Sequence, residues 1–265
     1  MRILVVSDLH ANPSALAAVR EPFDVCLCLG DLVEYGPDPG PCVEWARQTG
    51  AITVRGNHDH GAVQGVDIQG VSGFRYLTMA TRRATAERLS DEDRRFLAAL
   101  PTSRMLKLDG KRFLMVHASP RDPLDEYVGA DPAAWEARLG GLHVDVLLVG
   151  HTLLQFSLQA GRTTVVNPGS VGLQRDGDPR ARYAVFEDGR VELKQAAYDV
   201  EAAVAAVADS PIEPTAKKLL AEVYRIGRYV PLNGNGHVNG NGHGTPANGH
   251  AKSDATAREV GERPA

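Results

Sequence analysis

Seven side chains within the first 151 residues have the types and spacing of metal ligands. Asp8 and His10 stand one residue apart at the end of the apolar run Ile3–Ser7. Asp31 follows Phe23–Leu29 and Gly30, and Asn57 and His58 follow Ala51–Arg55 and Gly56. His117 ends Phe113–Val116, and His151 follows Val144–Val149 and Gly150. Carboxylate oxygens and imidazole nitrogens are what a divalent cation takes, and Asn57 adds a neutral amide oxygen. Singly, each position has a plainer use: Asp8 and Asp31 could cap helices, and His10 could be a polar loop residue. Together, two carboxylates, one amide and up to four imidazoles exceed what one ion needs. They suit two cations about 3.5–4 Å apart that share a carboxylate. Hard oxygens mixed with imidazoles fit manganese, iron or zinc without choosing among them.

The elements that must position these groups are short strands alternating with helices. Asn12-Pro13 opens a helix over Ser14–Arg20, with Asn12 as cap and Pro13 at the first helical position. Asp38-Pro39 begins another, ending near Gly50. Strand, helix, parallel strand is a βαβ unit, and such sheets carry ligand sites beyond the carboxyl ends of their strands. Residues 61–75 are glycine-rich and read as a surface loop. Residues 76–100 read as two helical pieces, the second capped by Ser90 with Asp93 and stopped by Pro101. Arg82, Arg83, Arg88, Arg94 and Arg95 are interleaved with acids and read as a solvated helix face. Asp109-Gly110 marks a hairpin, as does Asp188-Gly189 between Arg182–Phe186 and Arg190–Gln195. Asp131-Pro132 starts a helix to about Leu139. Two further helices are expected at about 199–209 and 213–228. One domain over 1–230 and a disordered Asn/Gly/His-rich tail over 231–265 complete the organisation. His237, His243 and His250 of that tail read as part of a polar linker.

Composition narrows the class. The chain has 265 residues, 43% of them hydrophobic, which suffices for a sizeable core. A net charge of -4 with both signs scattered gives no basic face for nucleic acid. Three cysteines argue against a disulfide framework, and Cys26 and Cys28 read as buried strand residues. No apolar run approaches the roughly 18 residues that span a bilayer. The first strand begins almost at Met1 with no leader ahead of it, so a cytoplasmic protein is the expectation. The oligomeric state is left open.

Asp-x-His, Gly-Asp, Gly-Asn-His-Asp, a lone His after a strand and Gly-His-Thr, in this order, resemble the calcineurin-like metallophosphoesterases. The likeness covers about residues 1–195. It is nearer to the small prokaryotic branch of phosphodiesterases and dinucleoside polyphosphate hydrolases, whose runs resemble Val116–Tyr127 and Asn167–Asp178. The resemblance implies a four-layer α/β/β/α sandwich and a dimetal site at the strand ends. By position, Asp8 and His10 would bind the first metal, Asp31 would bridge, and Asn57, His117 and His151 would bind the second. Manganese is the expected metal, with iron, zinc, nickel or magnesium as alternatives. The implied substrate is a phosphate-ester small molecule or nucleotide. A hydroxide bridging the metals would attack phosphorus, and His58 would supply the leaving oxygen with a proton. Arg121 and Arg175 lie in loops where either could pair with phosphate oxygens, and Tyr127 could stack on a base. One departure stands out. The resembling pattern ends Gly-His-x-His, whereas this chain has Gly150-His151-Thr152-Leu153. Leucine cannot ligate, so the first metal site is weakened unless water, Gln155 or His60 fills the gap, and His60 itself reads as a surface residue. A weakened site also keeps open a binding or scaffold protein on the same fold.

Overall fold

A computed structural model describes residues 1–232; the tail beyond, with His237, His243 and His250, lies outside the described residues. In chain order, the first elements are β1 (Ile3–Val6), α1 (Pro13–Leu16), β2 (Val25–Cys28), α2 (Gly40–Gln48), β3 (Ile52–Thr53) and α3 (Asn57–Gln64). Then come α4 (Gly73–Arg88), α5 (Asp91–Ala99), β4 (Ser103–Leu108), β5 (Lys111–Val116), α6 (Pro132–Leu139) and β6 (Val146–Leu148). The last are β7 (Phe156–Ala160), β8 (Thr163–Asn167), β9 (Ala181–Glu187), β10 (Arg190–Ala196), α7 (Val200–Ala208) and α8 (Pro214–Ile226).

Two five-stranded mixed sheets result, ordered β10-β9-β1-β2-β3 and β4-β5-β6-β8-β7. In each, three parallel strands sit beside antiparallel partners: β1, β2 and β3 in one, β5, β6 and β8 in the other. Side chains alternate across a strand, so each sheet presents two faces. Ile3, Val5, Leu27 and Leu29 meet Phe113, Met115, Val146 and Leu148 between the sheets. Leu4, Val6, Cys26 and Cys28 face the other way, onto Ala15, Cys42, Val43 and Leu97 of the helices. Leu114, Val116 and Leu147 do the same against Trp135 and Leu139 of α6. Helices therefore cover both outer faces, which is the four-layer α/β/β/α arrangement. Cys26 and Cys28 are buried and free, as expected of strand residues. A further apolar cluster joins Tyr35, Leu77 and Leu153 to α7 and α8. Among the described residues no helix is long and apolar enough to cross a membrane.

Two local expectations need correction. The helix expected over Ser14–Arg20 is one turn, Pro13–Leu16, although Asn12 does cap it by accepting from the Ala15 N–H. The surface loop expected over 61–75 starts later. Asn57–Gln64 is helical, with the metal-capable motif as its first turn. Gly56 is the cap residue, and its N–H donates to the Asp59 carboxylate. A glycine cap supplies no side-chain oxygen, so the usual start signal is missing from the sequence.

Candidate metal centre

Asp8, His10 and Asp31 lie just past β1 and β2 with backbones in the left-handed region, φ 55, 45 and 56. Ala11, Glu34, Tyr35, His151 and Leu153 share that conformation. Non-glycine residues avoid it because Cβ crowds the backbone, and such strain gathers at functional sites. Here it turns the chain sharply at the strand ends, so that polar side chains fold back over the sheet edge. Two glycines allow the close approach. A Cβ on Gly56 would fall 2.0 Å from the Asp31 Oδ1, and one on Gly150 would fall 2.1 Å from the Ser7 Oγ.

The structure brings Asp31, Asn57, His117 and His151 together. The His117 Nδ1–H donates to the Leu29 carbonyl at 2.8 Å, which turns Nε2 toward the centre. That nitrogen lies 3.2 Å from Asp31 Oδ2 and 3.0 Å from Asn57 Oδ1. His151 Nδ1 is 3.1 Å from the same Asn57 oxygen, and its Nε2 is buried without a partner. On the other side, the His10 Nδ1–H donates to the Val33 carbonyl at 3.2 Å. Its Nε2 faces Asp8 Oδ1 at 3.6 Å and Asp31 Oδ2 at 3.9 Å. Asp8 Oδ1 is likewise buried and unpartnered. Two metal-capable groups result, His10 with Asp31 and His58, and Asp31 with His117 and His151. Buried oxygens and ring nitrogens converge here within metal-ligand reach of one another. A divalent cation fits this donor set, with Asp31 common to both groups.

The field of the site is set by these contacts. Burial alone would raise the Asp31 carboxyl, but His117, His58 and His10 hold it well below the usual carboxylate range. Burial alone would lower His117, yet Asp31 pushes it up to about 10. His151 goes the other way, to about 3, through burial and the nearby His117.

His58 stands at the edge of this centre, its Nε2 3.9 Å from Asp31 Oδ2. Its Nδ1–H donates to the Glu34 carboxylate at 2.6 Å. Burial opposes charge on His58, but Asp31 and Glu34 outweigh it and raise the pKa. Glu34, fully buried, also accepts from the Arg82 Nε at 2.5 Å. Arg82 is thus not on a solvated face, as the charge pattern of its helix implied. It turns inward because Glu34 would otherwise be a buried charge without a cation. Asp59 accepts from the backbone N–H groups of Asp31 and Leu32, both at 2.8 Å, and so locks the β2 turn to the first turn of α3. Asn167 does similar work behind His151, donating to the Gly150 carbonyl at 2.7 Å.

A cavity of about 520 Å³ opens beside His58, and Asn57, Asp125, Tyr127 and Arg175 line it. Two other surface cavities, at the β9–β10 hairpin and beside α1, hold none of the donors. Of the expected phosphate handles, Arg175 is in this wall. Arg121 is not: it is exposed, 3.9 Å from Glu126. His60, expected at the surface, lines the cavity with its Nδ1 buried and unpartnered. Gln155 is committed elsewhere, donating to the carbonyls of Pro168, Tyr183 and Lys194. Leu153 points into the apolar cluster with Tyr35 and Leu173. Glu34, Asp59 and Arg82 escaped sequence reading. The signal for Glu34 was a lone acid between Val33 and Tyr35 in an otherwise apolar stretch.

A sequence profile described as the calcineurin-like phosphoesterase superfamily domain matches residues 1–188. An uncharacterized protein of Methanocaldococcus jannaschii is 30% identical over 224 residues, spanning 76% of this chain and 89% of its own length. The crystal structure of a metallophosphoesterase from Sphaerobacter thermophilus superposes with a TM-score of 0.72 at 30% identity, covering 86% of this chain and 99% of that one. A hypothetical protein of Pyrococcus horikoshii shares the fold at 21% identity and a TM-score of 0.72, covering 83% of this chain and 97% of its own.

Proposed function

The chain belongs to the calcineurin-like phosphoesterase superfamily, and from that premise we propose that it hydrolyses phosphate esters, monoester or diester, on small molecules such as nucleotides. The observation that carries this reading is the buried convergence of Asp31 Oδ2, Asn57 Oδ1 and His117 Nε2 within about a hydrogen-bond length, with Asp31 common to two metal-capable groups. Asp31, Asn57, His117 and His151 would hold one divalent cation, and Asp8, His10 and Asp31 another. Manganese is the first choice. Bound cations would neutralise phosphate oxygens and bring water to a reactive pKa near neutrality.

The chain's own residues supply the rest. His58 would give a proton to the leaving oxygen. Its Nδ1–H is spent on Glu34, so a single ring nitrogen, Nε2, is left to act toward the centre. Glu34 would orient the ring and favour its protonated form, and Arg82 would hold Glu34 in place. The wall of the cavity beside His58 would exclude water from the departing group. His58→Ala should lower kcat on bis(p-nitrophenyl) phosphate with manganese by about 10²–10⁴-fold while bound metal is unchanged. A folded wild type inert with every divalent metal would overturn the proposal.

A second reading rests on Leu153. Its burial in an apolar cluster leaves the His10 position with few protein ligands. A binding or scaffold protein that keeps the fold with a half-furnished centre would look the same there. His58, held by a dedicated carboxylate, favours the enzyme, since a scaffold needs no oriented proton donor.

A further inference from the structure

Two polar atoms in the wall of the cavity beside His58 have no partner, and hydrolysis as described uses neither. One is the Arg175 Nε and the other the His60 Nδ1, both buried. Among the described residues, Arg175 enters no ion pair, and Tyr127 is its side-chain neighbour for hydrogen bonding. Its Cζ lies 4.3 Å from the Phe74 ring centroid and 5.8 Å from that of Tyr127. A guanidinium withdrawn from water normally finds a carboxylate, because an unpaired buried charge is costly. Among the described residues, no carboxylate nearby pairs with it. Glu34 is taken by Arg82 and His58, and Asp125 lies 3.9 Å from His151. Asp67 also lines the cavity, on the wall formed by residues 66–68.

The geometry favours an oxyanion from outside. Phe74 covers a face of the guanidinium, leaving its N–H edge for a planar or tetrahedral oxyanion that can accept two bonds. Tyr127 adjoins both ends of the cleft. Its ring lies 4.1 Å from that of His151 and within cation–π range of Arg175, and it is 58% exposed. A ligand anchored at the metal centre would pass along Tyr127 to reach Arg175. A cavity of about 520 Å³ has room for a connecting group of sugar size and a phosphate.

We infer that this cavity is a specificity subsite in which Arg175, backed by Phe74, receives a second phosphate carried by the substrate's leaving alcohol, with His60 hydrogen-bonding to it. The substrate class is then a bisphosphorylated molecule, one phosphate cleaved at the metal centre and the other held at Arg175. The word substrate rests on the hydrolytic reading; the anion subsite does not.

The test uses ligands whose C–P bonds cannot be hydrolysed. Calorimetry on the full-length, manganese-loaded protein would compare alkane-α,ω-bisphosphonates of two to six carbons with the matching monophosphonates. At least one bisphosphonate should bind tenfold or more tightly than its monophosphonate. Arg175→Gln should remove that preference and Arg175→Lys should retain part of it, since lysine keeps the charge but loses the planar fork. A preference under twofold across the whole series overturns the inference, and this comparison needs no variant. So does a preference that survives Arg175→Gln. Hydrolysis of bis(p-nitrophenyl) phosphate by the same preparation separates the two claims. Turnover without bisphosphonate preference removes the subsite alone. Preference without turnover with any metal supports the subsite and removes the hydrolytic reading.

Discussion

At position 153 an apolar side chain stands on a left-handed backbone, φ 64, two residues past the donor His151. It is 1% exposed and packs with Tyr35, Leu77 and Leu173. Restoring a ligand there is therefore not free. In the presence of chelator, Leu153→His should destabilise the fold by about 1–3 kcal/mol, the cost of placing a polar ring in an apolar cluster. With manganese, part of that loss should return and metal analysis should show more ion per chain. A variant as stable as the wild type in chelator would mean the cluster does not depend on Leu153. The donors themselves were legible in the sequence because each ends an apolar run, so the fold must carry it to a strand end. Glu34 and Arg82 were not. They are 48 residues apart, and nothing in either neighbourhood says that one will need the other. Arg121 and Arg175 looked equivalent as loop arginines. Only packing separates them, one facing water and the other stacked on Phe74.

Among the elements, α3 depends most on one side chain. Asp59, fully buried, accepts from the N–H groups of Gly56, Asp31 and Leu32 at 3.0, 2.8 and 2.8 Å. It joins the start of α3 to the turn after β2, and so aligns His58 with Asp31. Asp59→Ala would strand three buried donors and should cost about 3 kcal/mol or more in urea unfolding. Asp59→Asn, which keeps an acceptor oxygen, should recover part of that. Equal stability of Asp59→Ala and the wild type would show that water replaces the carboxylate. Strand and hairpin positions were readable because period-two alternation and Asp-Gly turns are local signals. The start of α3 was not, because its cap is a glycine without a side-chain oxygen, and the local signal is only Asp59 three residues on, accepting from the Gly56 N–H.

In the molecule as a whole, the donors come from both sheets. Asp8, His10, Asp31 and Asn57 follow strands of one sheet, and His117 and His151 follow β5 and β6 of the other. Ligand binding to the folded state alone adds about 2.7 kcal/mol of stability at a hundredfold excess over Kd. Chelation should therefore lower the thermal midpoint by several degrees, and manganese should restore it. A midpoint indifferent to both would mean that no cation bridges the sheets. The four-layer arrangement was inferable because it follows from repeated apolar runs with polar ends. The apolar cluster of Tyr35, Leu153, α7 and α8 was not, because it joins residues that no local pattern connects. The crowding of left-handed residues at the strand ends has its own consequence. Eight non-glycine side chains there, from Asp8 to Leu153, occupy backbone that glycine would hold with less strain. Laboratory evolution that rewards heat resistance alone would be drawn to glycine at just these positions. A lineage selected that way would discard its chemistry first and its fold last.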